Sequence, residues 1–325
     1  MKKVIALMLV VCIIFSLSAC SETTDKKNFR YFPIEPEITY MSCEKSNAEV
    51  ELEASRELLN DEWQTFVNEL GRDVCDFLNT LGANWKYEEI KAYSCSNLNE
   101  IAGQDLIYGV YRNYSIYFYP KTLNLKESPQ KLSNEKKQIV VHELIHYMQE
   151  LNDVRNEKIG FMLSNENGQY AGLNVEEFFV DTLALKYMHA SGFYVETISA
   201  YGYGDMAIEL LELSIPNVFE YYFNYNVDGL KNEFNNLVKE HTDFKYDNPF
   251  GFWMNTADMI FVSSTVEQAM DLFFICLNSE LEISAIICPK DKKEQYVEIV
   301  NKHYSNSFYE NFPDEDMQYF SGLMY

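Results

Sequence analysis

The stretch Gln138-Ile-Val-Val-His142-Glu143-Leu-Ile-His146-Tyr-Met-Gln149 decides how this chain is read. On a helix, residues four apart lie one above the other. His142 and His146 therefore present two imidazoles to one point, the spacing a zinc ion needs. Glu143 stands about 100° further round, where it can take a proton from a water activated by the metal. Ile139, Val140, Val141, Leu144, Ile145, Tyr147, Met148 and Leu151 make most of the helix apolar, so it is expected to be buried. Gln138, His142, His146, Gln149 and Asp153 form one polar stripe along it. Buried polar groups need partners, and a metal supplies one.

Two histidines leave a catalytic zinc short of a third protein ligand. The segment Asn174-Val-Glu176-Glu177-Phe-Phe-Val-Asp181-Thr-Leu-Ala-Leu185 provides it. This reads as a helix, about 174–190, that is apolar apart from its carboxylates. Glu177 and Asp181 share a face. Two carboxylates on one face of a buried helix need positive charge opposite, which a metal and a histidine bound to it provide. Glu177, 31 residues after His146, is then the third ligand. Asp181 is expected to hold a ligand histidine through its ring N–H. Glu176 points elsewhere and is expected to be solvated or to serve the helix N-terminus.

His142-Glu143-x-x-His146 followed by Glu177-x-x-x-Asp181 resembles the gluzincin metallopeptidases. The stretch from Tyr170 through Asn174, Glu177, Phe178 and Phe179 to Asp181 is similar to the catalytic domain of anthrax lethal factor and its relatives, the Pro-Pro endopeptidases. Those proteins carry a tyrosine seven residues before the ligand glutamate, an asparagine three before it, and Phe-Phe after it. Asp181 stands where lethal factor has a glutamate, which keeps the charge and shortens the reach. The likeness spans about 50 residues, Gln138 to Ala190. It implies an α+β, zincin-like fold with a small mixed α/β lobe, about 53–153, and a mainly helical C-terminal lobe, about 174–325. It also implies one zinc per chain on His142, His146 and Glu177, with Glu143 as general base, Tyr170 as hydroxyl donor to the developing oxyanion, and a peptide substrate. Tyr147, His189, Tyr201 and Tyr203 are weaker candidates for that donor. His189, His241 and His303 otherwise read as surface or packing residues.

The N-terminus carries a different signal. Lys2 and Lys3 precede an apolar run of 14 residues, Val4 to Leu17. That is short for a transmembrane helix, which needs about 20, and suits a secretory signal. The run ends Leu17-Ser18-Ala19-Cys20, which resembles the bacterial lipobox. By that resemblance residues 1–19 are a signal peptide, Cys20 carries lipid, and the body lies on the extracytoplasmic face of the membrane. Residues 20–52, polar with Pro33 and Pro36, read as a tether.

Hydrophobic residues make up 47% of the 325, enough for a substantial core. Loss of Lys2 and Lys3 takes the formal charge from −24 to −26. This argues against nucleic acid, whose binding needs a basic face. Of seven cysteines, Cys43, Cys75, Cys95, Cys276 and Cys288 would remain in the mature body, and pairing is not legible from their spacing.

The remaining pattern predicts a helix from about Ala54 to Leu81, ended by Gly82, then strands over 85–93 and 107–119 with a turn at Arg112-Asn113. An edge strand at 107–119 suits pairing with an extended substrate. Ser133 or Asn134 is expected to cap the His142 helix. Residues 153–173 read as a loop over the site. Helices are expected at 205–213, 228–240, 265–278 and 290–303. The rival to an endopeptidase is a lipid-anchored binding protein that keeps the fold without peptidase activity. Glu143 speaks against it.

Overall fold

A computed structural model describes residues 41–42, 52, 54–98, 109–112, 114–153, 161, 163–164, 169–195, 202–241, 248–251, 253–254, 290–292, 294–295 and 298–299. The described residues form an α+β structure, mostly helical, with a small mixed sheet.

Helix α1, Asp61–Thr80, opens on Asn60, whose side chain accepts the Trp63 N–H at 3.0 Å, with Asp61 and Glu62 in the first turn. Trp63, Val67, Leu70, Val74 and Leu78 form its buried stripe. The helix starts later than the periodicity suggests. Arg56–Leu58 is instead strand β2, paired antiparallel with β3, Lys91–Cys95. β3 also starts later than expected. At residues 85, 86 and 90 the backbone bonds to amide side chains and not to a strand. Asn79 takes the Trp85 N–H and gives to its C=O, Asn152 does the same for Lys86, and Asn68 for Ile90. Gln64, one turn before Asn68, serves both groups of Ala92. Four side chains thus stand in for a neighbouring strand, which satisfies the backbone without a ladder.

β4, Gly109–Arg112, and β5, Ser115–Phe118, form a hairpin in register Arg112↔Ser115, so the chain reverses between those two residues, with Tyr114 at φ 54°. β5 runs parallel to β3, and the sheet order is β2-β3-β5-β4, which puts β4 at an edge. One face of this sheet, with Ala92, Ile116 and Phe118, joins the main core. Cys95 and Tyr117 face the other way and pack with Leu52 and Leu98. A short helix α2, Pro120–Leu123, and a 3-10 turn, Pro129–Lys131, lead to α3, Asn134–Asn152. Ser133 caps α3 by accepting the Lys136 N–H.

Residues 153–173 contain more than a loop. β6, Leu163–Ser164, and β7, Gln169–Ala171, pair antiparallel, and β1, Met41–Ser42, adds to the other side of β7. The segment expected to be a tether therefore reaches back onto the body at Met41, beside Tyr170. Helix α4, Leu173–Ala190, follows Gly172 at φ +78° and packs on α3 and on α5, Gly202–Ser214. At that contact a Cβ on Gly204 would stand 1.9 Å from the Phe178 ring, so glycine is what lets α5 approach.

α6, Val218–Phe223, has no counterpart among the helices expected from the pattern, and α7, Val227–His241, matches the expected helix closely. The helix expected at 265–278 lies outside the described residues; in 290–303, Lys290–Lys292 forms a 3-10 turn and the described residues 294–295 and 298–299 are α-helical. Among the described residues no helix is long and apolar enough to cross a membrane. Val4–Leu17 and Cys20 lie outside them, as do Cys43, Cys276 and Cys288, while Cys75 and Cys95 are free and buried.

Candidate metal centre

The middle of α3 is buried from Gln138 to Gln149, apart from the half-buried Ile139. It lies against α1, α4 and β4, so its polar stripe has to be satisfied from within. α4 crosses it with Glu177 facing the histidines. His142 Nε2 is 3.0 Å and His146 Nε2 3.4 Å from Glu177 Oε2, and the two Nε2 atoms are 3.2 Å apart. These residues form a group able to hold a metal ion. A tetrahedral zinc with bonds of about 2.0–2.1 Å sets its donors about 3.3 Å apart, and the three separations bracket that value. Two imidazoles and one carboxylate are the borderline N/O donor set that zinc takes. The residues present fit a zinc ion.

Asp181, one turn after Glu177, lies with Oδ1 3.5 Å from His142 Nδ1 and accepts the Gln138 side-chain N–H at 3.0 Å. The ring nitrogen away from the donor cluster is thus the one that meets a carboxylate, which fixes the tautomer that leaves Nε2 for a metal. Behind Asp181 lies Asp205 of α5, 1% exposed, which accepts the Thr182 hydroxyl at 3.2 Å. Burial, and the Asp181 carboxylate beside it, push the Asp205 carboxyl well above its ordinary range.

Glu143 is 8% exposed. Burial pushes its carboxyl up against the pull of His142 and His146, and the Tyr111 backbone N–H of β4 bonds to it. Burial also works against the Glu177 carboxylate, yet the His146 charge and bonds from both imidazoles hold it far below the usual range. His142 is raised well above its ordinary value: burial opposes this, and the bonds to Asp181 and Glu177 prevail. Buried or half-buried carboxyls at 143, 176, 177, 181 and 205 surround two imidazoles, and no lysine or arginine is among the described buried residues. Such a site attracts positive charge.

Glu176 departs from expectation. It does point away from the histidines, but it is 1% exposed and neither solvated nor a cap. It accepts the Phe161 N–H at 2.6 Å, the Tyr222 hydroxyl at 2.7 Å and the Gln149 amide at 2.5 Å. Tyr222 in turn stacks on Phe179 with ring centroids 4.6 Å apart. This cluster joins α3, α4, α6 and the start of the β6–β7 segment.

Tyr170 sits in the middle of β7, opposite Met41 and Ser164; its side chain lies outside the described residues. Tyr147 is committed to the core, giving its hydroxyl to the Glu88 carbonyl at 2.9 Å and packing on Tyr87 and Tyr111. His189 is exposed at the end of α4. Tyr201 and His303, and the side chains of Tyr203 and His241, lie outside the described residues.

Sequence reasoning misses Asp205, Tyr222 and the links through Tyr111. Gln138 and Gln149 are visible in the polar stripe of α3. No local pattern marks Asp205 or Tyr222, because their partners are 24 and 46 residues away in sequence, at Asp181 and Glu176. No protein-family model, no curated protein and no solved structure matches the chain.

Proposed function

We propose that this protein is a zinc-dependent endopeptidase of the gluzincin type, on a zincin-like fold, held by lipid on Cys20 at the extracytoplasmic face of a bacterial membrane. The observation that carries the reading is the trio of donor atoms on His142, His146 and Glu177 at 3.0, 3.2 and 3.4 Å, with Glu143 next to the first of them on the same helix. His142, His146 and Glu177 would hold the ion. When bound, zinc polarises a carbonyl and makes water acidic enough to attack at neutral pH.

The chain's own residues do the rest. Asp181 keeps the His142 ring oriented. Glu143 takes the proton of the attacking water and returns it to the leaving amine, and burial makes its carboxylate a better base than a solvated one. β4, at the sheet edge next to Glu143, offers backbone groups to an extended peptide. Tyr170 donates its hydroxyl to the oxyanion.

The test is metal analysis of the 21–325 protein, followed by cleavage of a mixed peptide library with and without chelator. About one zinc per chain and chelator-sensitive cleavage support the reading. Absence of zinc and of reloading sinks it. Zinc without cleavage favours the binding-protein alternative. Glu143→Gln is expected to keep the zinc and lose activity by orders of magnitude, because only the proton acceptor changes.

A further inference from the structure

Gly109 lies in β4 in register with Phe118, two residues before Tyr111, so the two share one side of the strand. A Cβ at Gly109 would stand 3.0 Å from Glu143 Cγ, 3.2 Å from Glu143 Oε1 and 3.3 Å from Phe118 Cδ1. Ordinary carbon contacts lie at about 3.5–4.0 Å, so something would have to yield. Phe118 is fully buried in the core and has nowhere to go. Glu143, whose unbranched side chain can change rotamer, is the group that moves. Its present place is also where it meets the Tyr111 N–H.

We propose that Gly109 is a positioning residue for Glu143: the missing side chain leaves the space in which the carboxylate sits against the edge strand, bonded to Tyr111. The inference rests on Glu143 acting as the general base. Strand propensity argues the opposite way, which makes the position informative. Glycine is a poor choice for a strand, and alanine or valine would stabilise an ordinary edge position. Here either one pushes the carboxylate by a few tenths of an ångström. Because a misplacement of about 1 Å costs on the order of 100-fold in rate, a shift of this size costs roughly tenfold.

The experiment uses the 21–325 protein with Gly109→Ala and Gly109→Val. Zinc content is expected to match wild type, KM to stay within about twofold, and kcat to fall about tenfold for alanine and further for valine. Unchanged kcat in both variants overturns the proposal. A second measurement needs no substrate. Thermal unfolding is compared for wild type, Gly109→Ala, Glu143→Ala and the double variant. Gly109→Ala is expected to lower the melting temperature when Glu143 is present, and to leave it unchanged or raise it when Glu143 is alanine. An equal loss in both backgrounds assigns the contact to Phe118 and overturns the proposal. If wild type cleaves no peptide, the peptidase reading fails, and the melting comparison still decides whether Gly109 and Glu143 are coupled.

Discussion

Glu176 and Glu177 stand side by side at the start of α4, about 100° apart around the helix, and meet different surroundings. Glu177 meets two imidazoles; Glu176 meets a backbone N–H, a phenol and an amide. Their alanine variants should therefore fail differently. Glu177→Ala is expected to lose most of the zinc and to keep the fold, because the carboxylate it removes is partly exposed to the site. Glu176→Ala strands three buried donors, each at about 1–3 kcal/mol. Its stability should drop by on the order of 3 kcal/mol or more, while zinc affinity in the folded fraction changes little. Metal titration and chemical denaturation, run on both variants, check this; the reverse pairing of effects would refute the assignment of the two acids. Asp181→Asn should reduce affinity or activity by roughly 10–100-fold, as is typical for a residue that orients a ligand. Helical periodicity separates these glutamates by face from the sequence alone, since it gives direction. What lies in each direction depends on α6 and the 161 segment, and for that reason the buried role of Glu176 is not legible there.

At the scale of elements, the periodic signals give existence and type, and side-chain hydrogen bonds move the boundaries. Helix α1 begins at Asp61, where Asn60 caps it, although Leu59 continues the apolar spacing upstream. The strand expected at 85–93 shifts to Lys91–Cys95 because Asn68, Asn79 and Asn152 occupy the backbone before it. An asparagine on a helix gives no sign in sequence that it will serve a distant chain segment. Asn68 shows the weight of this device. Its amide gives to the Ile90 carbonyl at 3.1 Å and to Gln64, and takes the Ile90 N–H at 2.8 Å and the Tyr87 hydroxyl at 2.7 Å. Asn68→Ala leaves those buried groups without their partner, and a loss of about 2–4 kcal/mol is expected from two to three such groups. Denaturant unfolding measures it. A loss under about 0.5 kcal/mol would mean that the segment before β3 is held by packing alone. Short strands such as β6 and β7 escape a sequence reading for another reason: two or three residues are too few to show alternation.

For the molecule as a whole, the N-terminal arm does more than its composition suggests. Residues 20–52 look like a spacer, yet Met41 pairs with Tyr170 and Ser42 with Gln169, so the arm supplies the outer strand of the sheet that carries the proposed oxyanion donor. A two-residue strand has no signature of its own in the sequence. It forms because the edge of β7 needs backbone partners. The arm is therefore expected to steady the Tyr170 strand as well as to hold the body off a membrane. A longer protein, residues 21–325, and a shorter one, residues 45–325, separate these roles, since only the longer contains β1 and neither carries lipid. The proposed zinc ligands lie on α3 and α4 and not on β1, so both should bind about one zinc per chain. Loss of one oxyanion donor typically costs on the order of 100-fold in turnover, and partial loss of its placement costs less. The shorter protein should therefore turn over roughly tenfold more slowly than the longer, with zinc content intact. Tyr170→Phe in the longer protein should slow turnover by on the order of 100-fold, and in the shorter one by a smaller factor, because the donor there is already poorly placed. Equal turnover by the two lengths would show that β1 does nothing for the site. A Tyr170→Phe effect of the same size in both would show that β1 acts elsewhere.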